Sequence, residues 1–470
     1  MTPGYEVRPD GWWQPFGDGA AVIVASAAVI GAWQGSVAVA VVALAAALIV
    51  RRVDLALVVL VVGLVASALS DRAWRAVEPD VLGPFRGWAT VVGDPAPAGR
   101  ATGAVVEIDG ERFRVRVYGA DRHRLARLHD GEQVHLVGDR VALAGRYPRM
   151  AQVRHVVGEF RVESFGESAG AAPLRRASNR VRDALRAGAE RTMTADQAAL
   201  FTGLVIGDDT RQSDAQVDEF RAGGLSHLMA VSGQNVAFVL ALAGLGLRRL
   251  PRWWRLAATL AVIGWFVVLT RAEPSVVRAG AMAAWTATAF AMGREHSPLR
   301  VLSLAVTALV LIDPLLVWSV GFWLSVGATA GVCVIGPGLA ARLAGPRWLI
   351  EPLAVTMGAQ VGVLLPSVLV FGRLPVLGPL ANMLAVPVAG FVMLYGIPAA
   401  LVAAATPDPL AEVIMLPCEA GTRWISTVAA LAARLAPTGV VAVLVGVAQA
   451  CVLVALLQAR WRDPAAAVRR

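Results

Sequence analysis

Long apolar runs broken by short basic segments fill most of this chain. Residues 20–33, 36–50 and 55–69 are three such runs, separated at Gln34-Gly35 and at Arg51-Arg52-Val53-Asp54. Further runs cover 237–247, 256–270, 281–292, 301–312, 315–335, 353–370, 376–405 and 440–457. A bilayer crossing needs roughly 20 mostly apolar residues. The pattern therefore predicts a polytopic α-helical membrane protein. Residues 412–435 carry Glu412, Glu419 and Arg423 and make an ambiguous crossing. Including that segment gives about twelve spans, and the basic breaks then alternate as the positive-inside rule requires. Both termini are expected in the cytoplasm, with Trp12 and Trp13 at the lipid headgroups.

Between residues 83 and 166 the period changes. Arg112-Phe113-Arg114-Val115-Arg116-Val117-Tyr118 alternates with period two, Arg on one face and apolar residues on the other. It pairs with 104–109 across a Gly110 turn, and 134–137, 140–143 and 153–162 add further strands. A helical segment at 120–128 interrupts them. About five short strands and one helix suggest a small barrel of the OB type, outside the cytoplasm by the same charge argument. Residues 172–194 follow as an amphipathic helix with Leu174, Ala177, Val181, Leu185 and Ala189 at helical spacing. Its arginines suit either a membrane surface or the phosphates of an approaching strand. The remaining divisions are membrane helices in 1–72, a transmembrane domain in 195–460 and a basic cytoplasmic tail in 461–470.

The composition sharpens this. The chain is 57% hydrophobic and 16% charged, with net charge +9, and every basic residue is Arg. Without Lys there is no Walker A motif and no Schiff-base lysine. Any uphill movement then needs a motor on another chain. Cys333, Cys418 and Cys451 stand far apart in apolar surroundings and read as small buried hydrophobes. His123, His129 and His135 recur every six residues, a spacing that does not gather them on one helix face. No metal or cofactor is expected.

The candidate chemistry lies where polar groups meet lipid. Ser226, His227, Ser232, Gln234 and Asn235 fall at the start of an apolar run, among Gly223, Gly224 and Gly233. Such groups are costly in hydrocarbon and normally face a bundle interior or a water-filled path. Glu273, Ser275 and Arg278 flank Pro274 at another boundary, and Gln360 and Asn382 sit inside apolar runs. In the barrel, Arg112, Arg114 and Arg116 with Phe113 and Tyr118 form a basic, aromatic face. Such a face suits single-stranded nucleic acid, although a solvated strand face has the same pattern. Ser226 or Ser232 with His227 could also serve a hydrolase, but adjacent residues diverge by about 100° on a helix.

Several of these segments together resemble the ComEC family, the membrane channel of bacterial competence. The run Gly224-Leu225-Ser226-His227-Leu228-Met229-Ala230-Val231-Ser232-Gly233-Gln234-Asn235-Val236 resembles that family's most recognisable motif. Pro274-Ser275-Val276-Val277-Arg278-Ala279 resembles a second, and Asp313-Pro314 with Gly321-Phe322-Trp323-Leu324-Ser325 a third. Gln360, Pro366 and the stretch from Leu380-Ala381-Asn382 to Pro387 resemble a fourth. The resemblance implies a non-enzymatic channel that passes single-stranded DNA across the cell membrane. It implies a DNA receptor outside, and a separate cytoplasmic ATPase or helicase. Gln234 and Asn235 depart from the family, which often has an apolar residue and His there. Many members also carry a metallo-β-lactamase-like domain, and no His-x-His-x-Asp-His motif occurs here. Either a separate nuclease would then degrade the other strand, or the channel would work without one. Export of another polyanion or of a lipid-linked substrate is the alternative.

Overall fold

The computed structural model describes residues 17–35, 38–39, 41, 53–144, 148–229, 231, 233–294, 297–371, 377–437 and 445. Trp12 and Trp13, most of the 36–50 and 440–457 runs, Ser232 and the basic tail lie outside them. The chain forms two compact units, one of residues 1–72 with 296–317, the other of 73–295 with 318–470.

In the first unit α1 (Asp18–Gln34) packs against α11 (Pro298–Ile312). Arg300 Nη2 lies 3.0 Å from Asp18 Oδ1. Gly31 faces the backbone of Gly63 on α2 (Val53–Arg75) so closely that a Cβ at Gly31 would collide with it, and a Cβ at Gly63 would run into Val39. The Ser70 hydroxyl donates to Ala32 O at 2.7 Å, which closes the same α1–α2 contact.

In the second unit a closed barrel comes first. Its strands are β1 (Gly83–Ala98), β2 (Ala101–Ile108), β3 (Glu111–Val117), β4 (Gln133–Ala142) and β5 (Val156–Ala169). They close in the order β1-β2-β3-β5-β4, with β3 and β5 parallel and the other pairs antiparallel. The short helices α3 (Asp121–Leu125) and α4 (Pro148–Gln152) interrupt the strands. The β2–β3 hairpin turns on Asp109 and Gly110, both at positive φ, which favours short polar residues and glycine. Val91, Val106, Phe113, Val115, Val134, Leu136 and Phe160 fill the barrel. Two expectations are corrected. Phe113 is fully buried in this core and is no stacking platform. The strands expected at 134–137 and 140–143 are one strand: β4 runs through Gly138-Asp139, and Gly138 lets the Arg161 carbonyl of β5 approach where any Cβ would clash.

The helices that follow are α5 (Pro173–Glu190), α6 (Ala195–Ile206), α7 (Asp214–Ala222), α8 (Gly233–Leu247), α9 (Arg252–Leu269) and α10 (Pro274–Ala291). After α11 come α12 (Val320–Val334), α13 (Gly336–Ala340), α14 (Arg347–Phe371), α15 (Gly378–Ala404) and α16 (Asp408–Leu435). Among the described residues α2, α9, α14 and α15 are long and apolar enough to cross a membrane, fewer than the twelve spans expected. The remaining apolar helices, such as α6, α8 and α12, are shorter. α12 and α14 meet through glycines. Gly327 and Gly331 face Gly358 and Gly362 so closely that added Cβ atoms would run into backbone carbonyls. Small residues four apart are what close helix packing in lipid selects.

Helix α5 also departs in part from expectation. Of the apolar positions expected on its underside, Leu185 and Ala189 are buried and Val181 packs against the core, whereas Leu174 and Ala177 are exposed. Ser178, Asn179, Arg182 and Gly188 are buried as well. Two of its five arginines, Arg182 and Arg186, point into the protein, while Arg175, Arg176 and Arg180 are exposed. Arg182 is 2% exposed. Its Nη2 donates to Asp94 Oδ2 at 2.7 Å, and its Nη1 donates to Ile206 O at 2.8 Å and Leu269 O at 2.9 Å. Arg271 Nη2 donates to the other Asp94 oxygen at 2.8 Å. Arg175 pairs with Asp130, and Arg186 Nη2 donates to Asp208 Oδ2 at 2.6 Å. One ionic cluster thus ties β1 of the barrel to α5, α6 and the end of α9.

Burial pushes the Asp94 carboxyl up, but Arg182 and Arg271 beside it outweigh that and hold it at about 2. The folded value lies below the unfolded one, near 3.9, so this stabilisation is complete above about pH 4 and fades as pH falls towards 2. It amounts to about 2 kcal/mol. Thermal unfolding of the detergent-purified protein should show Asp94→Asn less stable than wild type by a constant margin above about pH 5, narrowing below about pH 4.

Candidate path through the helical unit

The site is built on α6. Thr194 and Gln197 start this helix with a reciprocal capping box, and Gly207 ends it at φ 69°. From Ala198 to Ile206 every residue is buried, as expected of a helix that is apolar all round. Asp208 follows, paired with Arg186, and then α7, whose Ser213 caps Gln216 N. Gly224 reverses the chain at φ 75°. Ser226–Leu228 is a single 3-10 turn, and regular helix resumes only at Gly233. The motif segment is therefore a break between elements rather than the first turn of a span.

A break inside a membrane domain leaves backbone groups that lipid cannot satisfy. Side chains from neighbouring elements do it here. Gln212 Nε2 donates to Met229 O at 2.7 Å, and the Ser275 hydroxyl donates to Val231 O at 2.7 Å. Asn235 Nδ2 donates to Leu204 O at 2.6 Å, one of the free carbonyls in the last turn of α6. Asn235 and Ser275, expected to line a path, are each hydrogen-bonded to a backbone carbonyl at this break. Gln212 was not singled out from the sequence, and nothing short of the fold shows that it reaches a carbonyl 17 residues on.

Other side chains of the segment keep accessible surface. Ser226, His227, Gln234 and Glu273 are exposed by area, while protein crowds closely around His227 and Glu273. Asp209 and Arg154 are exposed too and interact electrostatically with Glu273, so the barrel loop before β5 contributes a charge beside α10. Arg278 is different. It is 6% exposed, its Nη2 donates to Gly321 O at 3.1 Å, and its guanidinium sits 5.8 Å from the centroid of Phe322. Among the described residues nothing accepts from its Nε or Nη1. Gln360 on α14 and Asn382 on α15 are half-buried, and Asn382 Oδ1 is buried without a donor among the described residues.

The barrel carries a second polar surface. Arg112 lies 3.8 Å from Glu107 and Arg114 3.9 Å from Glu159, both half-exposed, while Arg116 and Tyr118 are exposed. Trp88 on β1 is 49% exposed and meets His135 edge-on, with centroids 5.7 Å apart. A groove of about 440 Å³ runs between Thr90, Glu107, Arg112 and Gln133 on the strands and Arg175 and Arg176 at the start of α5. The histidines lie apart: His129 Nε2 is 3.7 Å from Asp183, and His123 Nε2 accepts from Arg122.

Replacing Asn235 with Leu removes the donor and leaves Leu204 O buried and unsatisfied, which costs about 1–3 kcal/mol. The thermal midpoint of the purified protein should fall accordingly. An unchanged midpoint would show that the break does not depend on this bond.

The chain was compared with known proteins. A segment of 205 residues, 41% of this chain, is 30% identical to Competence protein ComA of Neisseria gonorrhoeae and covers 28% of it. A segment of 223 residues, 43% of this chain, is 29% identical to the uncharacterized protein YcaI of Escherichia coli K12 and covers 29% of that protein. Less than a third of each relative's length is therefore matched. No solved structure matches. The family model described as Competence protein matches residues 204–463, from the last turns of α6 through the broken segment and on beyond α16. The apolar helices and this match give a membrane location, and the chain belongs to the competence protein family.

Proposed function

We propose that this chain forms the membrane path by which single-stranded DNA enters the cytoplasm during natural transformation. The observation that carries this reading is the break at Ser226–Gly233, braced by Gln212, Asn235 and Ser275, with accessible polar side chains around it and Arg278 behind it. Irregular backbone at membrane depth is tolerated where it is buried in protein or lines a cavity. Scattered cations and amides suit a polyanion that must slide, since a dense arginine cluster would hold it. The family supports a part in DNA uptake. The chain acts as a conduit, not an enzyme, and a cytoplasmic ATPase or helicase draws the strand through. A receptor delivers the DNA from outside, and any removal of the other strand belongs to a separate nuclease.

In this reading the barrel lies outside the membrane and the termini inside. Its strand order, with a helix between β3 and β4, supports the OB-type assignment, whose β2–β3 face and neighbouring loops bind oligonucleotides in other proteins. Arg112, Arg114 and Arg116 supply the charge, and Trp88 and Tyr118 take the stacking role expected of Phe113. The groove beside Arg112 and Arg176 continues this surface.

Arg278→Gln should lower uptake of labelled DNA into the cytoplasm at least tenfold while protein level and surface-bound DNA stay unchanged. Normal uptake in that strain would remove Arg278 from the path. If deletion of the whole chain also left uptake intact, the substrate is another polyanion and the export alternative takes over. On the barrel, Arg116→Gln should weaken single-strand binding by the full chain in detergent and reduce the slope of log affinity against log salt by about 0.7. Trp88→Ala should weaken binding by about 1–3 kcal/mol with the salt slope unchanged.

A further inference from the structure

The turn between α9 and α10 is built on two consecutive non-glycine residues in the left-handed region, Arg271 at φ 59° and Ala272 at φ 52°. A Cβ makes this conformation unfavourable, and such residues persist only where the surroundings hold them. Backbone bonds close the turn, with Ala272 N donating to Val267 O at 2.8 Å and Arg271 N to Val268 O at 3.2 Å. The rest of the hold comes from the barrel. One Asp94 oxygen accepts from Arg271 at 2.8 Å, so it fixes the side chain of the first strained residue. The other accepts from Arg182 at 2.7 Å, and Arg182 in turn donates to Leu269 O at 2.9 Å, two residues before the turn. Arg271 Nη1 also lies 3.5 Å from Asp130 Oδ2. Asp94 thus grips the turn twice, through a side chain and through a carbonyl.

What leaves this turn is the second motif. Glu273 follows Ala272 directly, Pro274 starts α10, Ser275 braces the broken segment at Val231 O, and Arg278 comes one turn later. The direction of the chain at residues 271–272 therefore sets where all of these groups lie.

We propose that Asp94 and Arg182 are positioning residues for the path: they latch the left-handed turn at Arg271-Ala272 and so hold Glu273, Ser275 and Arg278 in their working places. Both lie before residue 204, where the family match begins. The barrel then has a second task besides contacting DNA, that of shaping the entrance. This inference rests on the conduit reading, and the test separates the two.

The experiment compares pairs of variants in whole cells, scoring imported DNA, surface-bound DNA and the amount of protein in the membrane. Asp94→Asn should cut import at least tenfold with surface binding and protein level unchanged. Adding Ala272→Gly should restore most of the import, because glycine takes the left-handed turn unaided. His155→Gly is the control, since His155 has φ 59° in the barrel and should not rescue. A second pair covers the case in which Asp94→Asn fails to accumulate. Arg271→Ala and Arg271→Gly both delete the ion pair, but only the glycine relieves the turn, so Arg271→Gly should import at least fivefold better. Equal import by that pair, or rescue by His155→Gly as well, would overturn the latch. Normal import in Asp94→Asn beside loss in Arg278→Gln would also overturn it and leave the conduit standing. Normal import in both would count against the conduit as well.

Discussion

Everything in the larger unit depends on one buried guanidinium. Arg182 is almost without solvent, and it binds a barrel carboxylate and two helix-end carbonyls at once. Desolvating a charge is expensive, and a buried ion pair gives little net stability compared with well-packed apolar groups. Its value is geometric. Ile206 O and Leu269 O are terminal carbonyls that α6 and α9 cannot satisfy internally. By taking both, together with Asp94, Arg182 fixes the ends of two helices against one strand of the barrel. The guanidinium fork suits this because its donors diverge in a plane.

The break in the motif segment follows the same rule. Unsatisfied backbone in a membrane domain must find partners, and Gln212, Ser275 and Asn235 provide them from three different places in the chain. Glycines make the approach possible. A Cβ at Gly203 would collide with Gln212 and Met229 O, and one at Gly207 with Val231. The polar residues of the segment therefore fall into two groups. Asn235 and Ser275 brace the backbone, while Ser226, His227 and Gln234 keep exposed surface. The common polarity of these side chains concealed the division, because a hydroxyl or an amide can serve either end.

Sequence-based expectation succeeded where a pattern repeats locally. The Arg112–Val117 alternation gave β3 and its outward arginines, and the apolar runs gave most of the later helices close to their observed limits. It failed where the partner is remote. The apolar spacing of α5 matches the burial of Leu185 and Ala189, but not that of Ser178, Asn179 and Arg182, whose side of the helix meets Asp94, Asp130 and Asp208. Phe113 looked like an aromatic among arginines, yet in a strand it points opposite to them and so into the barrel. Two signals were readable and went unused. The Thr194-x-x-Gln197 capping box marks the start of α6, and the spacing Gly327/Gly331 with Gly358/Gly362 marks a close helix pair.

The sequence by itself determined the membrane class, the strand-rich insert and the family motifs. Each rests on composition or on periodicity within one element, which the chain carries locally. Only the tertiary structure decided that α5 is an ionic clamp, that the motif is a braced break, and that a barrel carboxylate holds the turn leading to Arg278. These depend on pairs such as Asp94 with Arg271, 177 residues apart. Which charges meet across such a distance is set by how barrel and helices pack, and no local pattern encodes it.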